Sequence, residues 1–131
     1  MSKATQAVVS KKSQYWMPKN RYYELKYFCF QFWDWQKQRS WLDGLATREN
    51  REPTEEEAIK RAALSHRIEM VMNAIDDSTK DHPEIYEDLL YGVTKGYSYD
   101  AMAAKKVLPL SREAYYNIYR LFFYLLGRAR E

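Results

Sequence analysis

Apolar side chains fall into a three- and four-residue rhythm from Tyr15 onward, after an N-terminal stretch, MSKATQAVVSKKSQ, that is small, polar and lysine-bearing. In the segment that follows, Tyr22, Leu25, Phe28, Cys29, Phe32 and Trp35 line up on one stripe. That spacing predicts a helix capped by Asn20, running to Leu42 or Asp43 and ended by Gly44. Tyr23, Tyr27, Phe30 and Trp33 lie off the stripe, so the helix is aromatic nearly all round and needs cover on more than one side. The plainer reading makes it the central core helix, because aromatic side chains bury large areas. The alternative sets those four rings out as a surface for a protein partner or for stacking on unpaired bases, with Lys19, Arg21, Lys26, Lys37 and Arg39 beside them.

Residues 46–53, ATRENREP, are polar and read as a connection. Thr54 with Glu57 forms a capping box, and Glu55, Glu56 and Glu57 sit where a helix dipole favours negative charge, so this acidic run is a helix start and not a catalytic cluster. Behind it Ala58, Ile59, Ala62, Leu64, Ile68, Val71, Met72 and Ile75 predict an apolar face, with alanines that allow another helix, from this chain or a second copy, to come close. Asp81-His82-Pro83 opens a helix that places Ile85, Leu89 and Val93 together and stops at Gly96. Ser98 caps a short helix, and after a turn containing Pro109, Ser111 caps a longer one bearing Tyr115, Ile118, Tyr119, Phe122, Leu125 and Leu126. Three helices are thus expected near 83–95, 98–106 and 111–127. Two helices joined by so short a turn have the geometry of a helix-turn-helix, whose second helix can lie in a DNA major groove.

Composition agrees with an all-α fold. The 131 residues are 46% apolar and contain only four glycines and four prolines, which suits a compact helical domain of about five helices at 15–131, preceded by a flexible basic arm at 1–14 and carrying the helix-turn-helix unit at 83–130. A net charge of +3 permits a nucleic-acid partner without requiring one. Its distribution is more telling: residues 1–26 hold Lys3, Lys11, Lys12, Lys19, Arg21 and Lys26 against Glu24 alone, whereas Glu49, Glu52, Glu55, Glu56 and Glu57 cluster further on. The single Cys29 reads as an inert core thiol and excludes an internal disulfide or a cysteine-rich zinc site. His66 and His82 are far apart, and His82 reads as a turn residue. No metal or cofactor is expected. Without a glycine-rich phosphate loop, a metal motif or a nucleophile beside a histidine, the chain does not read as an enzyme. No signal peptide or membrane span is apparent, and a cytoplasmic setting is the expectation.

Leu89, Leu90, Gly92, Val93 and Gly96, then Ser98, Tyr99 and Ala103, then Ser111 and Arg112 form a pattern similar to the helix-turn-helix of sigma-factor region 4. The segments RYYELKYFC, AIKRAALSHRIE and SREAYYNIYRLFFYLL resemble small phage and prophage proteins of Gram-positive bacteria, some of them late transcription regulators of the RinA and ArpU type. The resemblance covers most of residues 15–130. It departs from the common helix-turn-helix pattern at Val107-Leu108-Pro109-Leu110, which has no glycine. It implies a duplex-DNA-binding regulator in a bacterial host cell, acting with host RNA polymerase or another host protein. If Tyr115, Ile118 or Tyr119, Phe122 and Leu125 face the core, then Arg112, Glu113, Tyr116, Asn117 and Arg120 face outward, where Arg suits guanine, Asn suits adenine and Tyr suits phosphate or an apolar base edge. Arg128 and Arg130 are phosphate contacts or favourable charges at a helix end. Two other functions stay open. One is an anti-defence inhibitor, for example of a CRISPR nuclease, that grips a host protein with Tyr23, Tyr27, Phe30 and Trp33. The other is a small DNA-packaging subunit working as a homo-oligomer.

Overall fold

Pro18, which has no N–H to leave unsatisfied, stands immediately before the first helix, α1 (Lys19–Cys29), so that helix begins ahead of the Asn20 cap expected for it. A computed structural model describes residues 15–131, and the basic arm expected at 1–14 lies outside the described residues. The single helix expected at 20–43 is in fact two, α1 and α2 (Phe32–Glu49), separated by Phe30 and Gln31. Phe30 N–H still reaches the Lys26 carbonyl at 3.2 Å, but Gln31 N–H turns to the nearer Phe28 carbonyl at 3.2 Å. This tighter link re-aims the chain so that Phe32 and Trp35 remain in the core while the Trp33 indole N–H donates to Thr94 Oγ1 at 2.9 Å. Gly44 does not end the helix either. A Cβ there would lie 2.5 Å from Arg48 Nη1, because Arg48 folds back over the Trp41 ring and donates to the Trp41 carbonyl at 2.8 Å. The helix closes instead at Asn50, in the left-handed conformation with φ 51°.

The next helix, α3 (Glu55–Ser78), starts at the expected capping box, with Thr54 Oγ1 accepting from Glu57 N–H at 3.1 Å and Glu57 Oε1 accepting from Thr54 N–H at 2.8 Å. Leu64, Ile68, Val71 and Ile75 are buried as expected. Ala58, Ile59 and Ala62 are not, and Ile59 is 63% exposed, because the covered face of α3 begins only at Leu64. One 3₁₀ turn, Pro83–Ile85, then leads into α4 (Tyr86–Lys95), which Gly96 ends at φ 75°. Ser98 and Ser111 cap α5 (Tyr99–Ala103) and α6 (Arg112–Ala129), accepting from Ala101 and Ala114 N–H at 3.1 and 3.2 Å. The last α-helical residue of α5 is Ala103, short of the 106 expected.

The core is centred on α6 and not on the aromatic segment at 20–43. Tyr115, Phe122 and Leu126 are 0% exposed and Tyr116, Ile118, Tyr119 and Phe123 are buried with them, because α6 packs on α3, α1, α4 and α5. The 20–43 segment buries the stripe from Tyr22 to Trp35 and, further on, Leu42. Buried side chains of all six helices join in one cluster, and among the described residues there is no strand and no helix long and apolar enough to cross a membrane.

Candidate nucleic-acid interface

Tyrosines set the angle at which α5 and α6 meet. Tyr99 donates its hydroxyl to the Leu110 carbonyl at 2.7 Å and its N–H to the Tyr116 hydroxyl at 3.1 Å, fastening the start of α5 to the turn and to α6. Leu108 is buried and Leu110 half-buried against the core, while Val107 between them and α5 is 96% exposed. Apart from Gly96, Asn50 is the one described residue with positive φ, so this turn is made without a left-handed residue. Pro109, with its fixed φ, and the two anchored leucines shape the turn instead. Gly92 of α4 matters for another reason: a Cβ there would sit 2.1 Å from the Tyr115 hydroxyl.

Of the residues expected to face outward on α6, Glu113, Asn117 and Arg128 are exposed and Arg120 is half-buried. They fall on one side of the helix at four- and three-residue steps. Arg120 Nη2 donates to Asn117 Oδ1 at 2.7 Å. Tyr124 completes this face; its hydroxyl accepts from Arg128 Nη1 at 3.3 Å, and the Tyr15 ring packs on it at 5.3 Å. Tyr124 was legible in the sequence, since it continues the spacing of 113, 117 and 120. Tyr116 has to be corrected. It is 6% exposed, not outward, because burial of its ring is compensated by the hydrogen bond its hydroxyl accepts from Tyr99. Arg112 is turned back toward α5, its Nε 3.5 Å from Asp100 and its guanidinium 5.5 Å from the centre of the Tyr116 ring. Arg130 lies across the Phe28 ring at 3.7 Å, which makes it a packing residue at the end of α6.

The second set of expected residues does reach the surface. Tyr27 is 59% and Phe30 37% exposed, and Tyr23 and Trp33 are half-buried. Trp33 stacks on Tyr91 at 5.9 Å with the planes 14° apart, and Lys95 Nζ lies 5.4 Å from the Trp33 ring centre. Cys29 is fully buried, and burial pushes its thiol far above the ordinary range, so it has little thiolate character. Among the described residues no three of His, Cys, Asp and Glu gather in a way that could hold a metal ion. Compared with family models, curated proteins and solved structures, the chain has no match.

Proposed function

We propose that the protein binds double-stranded DNA through the outer face of α6, as a transcription regulator of the phage type its sequence resembles. One observation carries this reading: Asn117, Arg120 and Arg128 lie along one accessible side of a helix whose other sides are packed, and whose N-terminal end is fastened by the Tyr99–Leu110 and Tyr99–Tyr116 hydrogen bonds. An anchored helix offering Asn and Arg is suited to base edges, while Arg128 and the Tyr124 hydroxyl are suited to phosphate. Arg112 joins them when a phosphate replaces Asp100. Nothing in the reading calls for bond chemistry.

The test is selection of duplexes from a fragmented phage genome by the full chain, followed by titration of the retained sequence at several salt concentrations. Affinity is expected to fall steeply with salt. Asn117→Ala is expected to cost about 1–3 kcal/mol and relax preference at one base position, and Arg128→Ala to reduce the salt slope by about 1 without changing sequence preference. Both variants should melt like the parent. Salt-insensitive binding, or full affinity in an Asn117→Ala/Arg120→Ala double variant, would sink the proposal.

A further inference from the structure

Outside α6, lysines and aromatic rings alternate across a continuous surface. On α1, Tyr23 and Tyr27 stack with centres 6.4 Å apart, and Phe30, just past the end of that helix, meets Tyr27 edge-on at 5.8 Å. Lys19 and Lys26 hold their ammonium groups 5.9 and 5.6 Å from the Tyr23 ring centre. Lys26 and Phe30 then share a narrow cleft with Tyr97, which is 47% exposed. Tyr97 in turn forms one wall of a cleft of about 360 Å³ between α4 and α5, together with Tyr91, Lys95, Lys105 and Lys106. Glu87 and Asp88 are the carboxylates of that cleft, and Lys106 Nζ pairs with Asp88 Oδ1 at 2.7 Å. The balance is therefore positive along the whole path.

We propose that this surface, from Tyr23 through Tyr97 to Lys95 and Lys105, holds a single strand of DNA. Exposed rings spaced along a basic path are what unpaired bases stack on, and stacking tolerates any sequence. A duplex hides its base faces and could use only the lysines. Protein interfaces are depleted in lysine and favour arginine beside their aromatic residues, which is the reverse of this surface. Ring faces and ammonium groups address bases and phosphates; neither singles out the 2′-hydroxyl that marks RNA. The cleft volume lies within the range of sites that enclose small ligands, which begins at roughly 300 Å³, so a base beside Tyr97 and Tyr91 has room. This surface shares no residue with the outer face of α6, and the two readings stand or fall separately.

The experiment is fluorescence anisotropy of the full chain with a labelled oligothymidylate of about 16 nucleotides, near the upper site size of known single-strand folds. Salt-dependent binding is expected. Tyr27→Ala and Tyr97→Ala should each weaken it roughly five-fold to a hundred-fold, while Tyr27→Phe and Tyr97→Phe, which keep the ring, retain it. Lys105→Ala should flatten the salt dependence, and Asn117→Ala on α6 should leave oligothymidylate binding unchanged. Four results would overturn the proposal: no binding at low salt; equal affinity for the alanine variants with parental circular dichroism; tighter binding of the matching oligouridylate; or equal displacement by duplex of the same length. Capture of a host protein that Tyr97→Ala abolishes, without oligonucleotide binding, would overturn it as well.

Discussion

Tyrosine and phenylalanine rings hold together the end of the molecule built from α4, α5 and α6, whereas charge holds the far end of the α2–α3 hairpin. Around α6, Tyr115, Phe122 and Leu126 are fully buried, and the Tyr22 and Tyr119 hydroxyls pair at 2.9 Å, with the Asp88–Lys106 ion pair at 2.7 Å as the charged contact of this end. Along the hairpin, burial reaches Leu42 and Leu45 on α2 but begins only at Leu64 on α3. Polar contacts link the two arms: the forked pair of Arg51, in the connection, with Glu57 at 2.8 and 2.9 Å, Arg61 with Asp43, and Arg39 with Ser65 at 3.3 Å. The first region should therefore respond sharply to side-chain volume, and the second to loss of its carboxylate charges.

The largest effect is expected from Gly92→Ala, which puts a methyl group 2.1 Å from the buried Tyr115 hydroxyl and should cost about 1–3 kcal/mol in urea unfolding. That hydroxyl has no hydrogen-bond partner among the described residues, so Tyr115→Phe should raise stability by removing an unsatisfied polar atom. With the hydroxyl gone the nearest ring atom is 3.4 Å from the new methyl, and Gly92→Ala should become nearly neutral. Equal costs in the two backgrounds would show that shape complementarity does not govern this end.

A smaller and local effect is expected in acid. The Arg51 guanidinium and the Thr54 N–H hold the Glu57 carboxyl down to about 2, from an ordinary value of 4.5. Because the folded value is the lower one, the contribution is present above about 4.5 and is lost as pH falls toward 2. The pair is only half-buried, within reach of water, and its worth is small. Cα chemical shifts should record fraying of the first turns of α3 across that window while the signals of α6 hold. Simultaneous loss at both ends would erase the contrast.

Three helix starts were readable in the sequence, because a side-chain cap is a local event, while the cap expected at Asn20 gave way to Pro18. Thr54, Ser98 and Ser111 each accept the hydrogen bond their spacing implies, and Gly96 adopts the left-handed conformation that ends α4. The break after Cys29 was not readable, since neither proline nor glycine marks it; it follows from where Trp33 and Phe32 find partners. Nor could spacing rank two aromatic helices by burial. Periodicity finds a face on each, but how many neighbours cover a helix depends on the whole fold, and α6 has four while the ring face of α1 remains at the surface. Two residues expected on the outer face of α6 lie elsewhere: Tyr116 is buried because its hydroxyl is satisfied inside, a partnership made by Tyr99 from a separate helix, and Arg112 is turned back toward Asp100 of α5. The cleft beside Tyr97 went unseen, because Tyr91, Tyr97 and Lys105 come together only when α4 and α5 fold against each other.

The Tyr22–Tyr119 pair makes the centre of the protein a store of protons that alkali draws more readily from the unfolded chain than from the folded one. Burial pushes the Tyr22 hydroxyl from 10.0 up to about 12, and raises Tyr115 and Tyr119 further still. Below pH 10 these phenols are neutral whether the chain is folded or not, so their burial carries no ionisation penalty. Above it the unfolded chain sheds protons that the folded chain keeps, and stability drains away as pH climbs from about 10 through 12. Phenolate absorbance near the alkaline midpoint should rise together with loss of helix, in one cooperative step for the buried rings. A smooth titration of every tyrosine with the helices intact would mean that the centre is open to water.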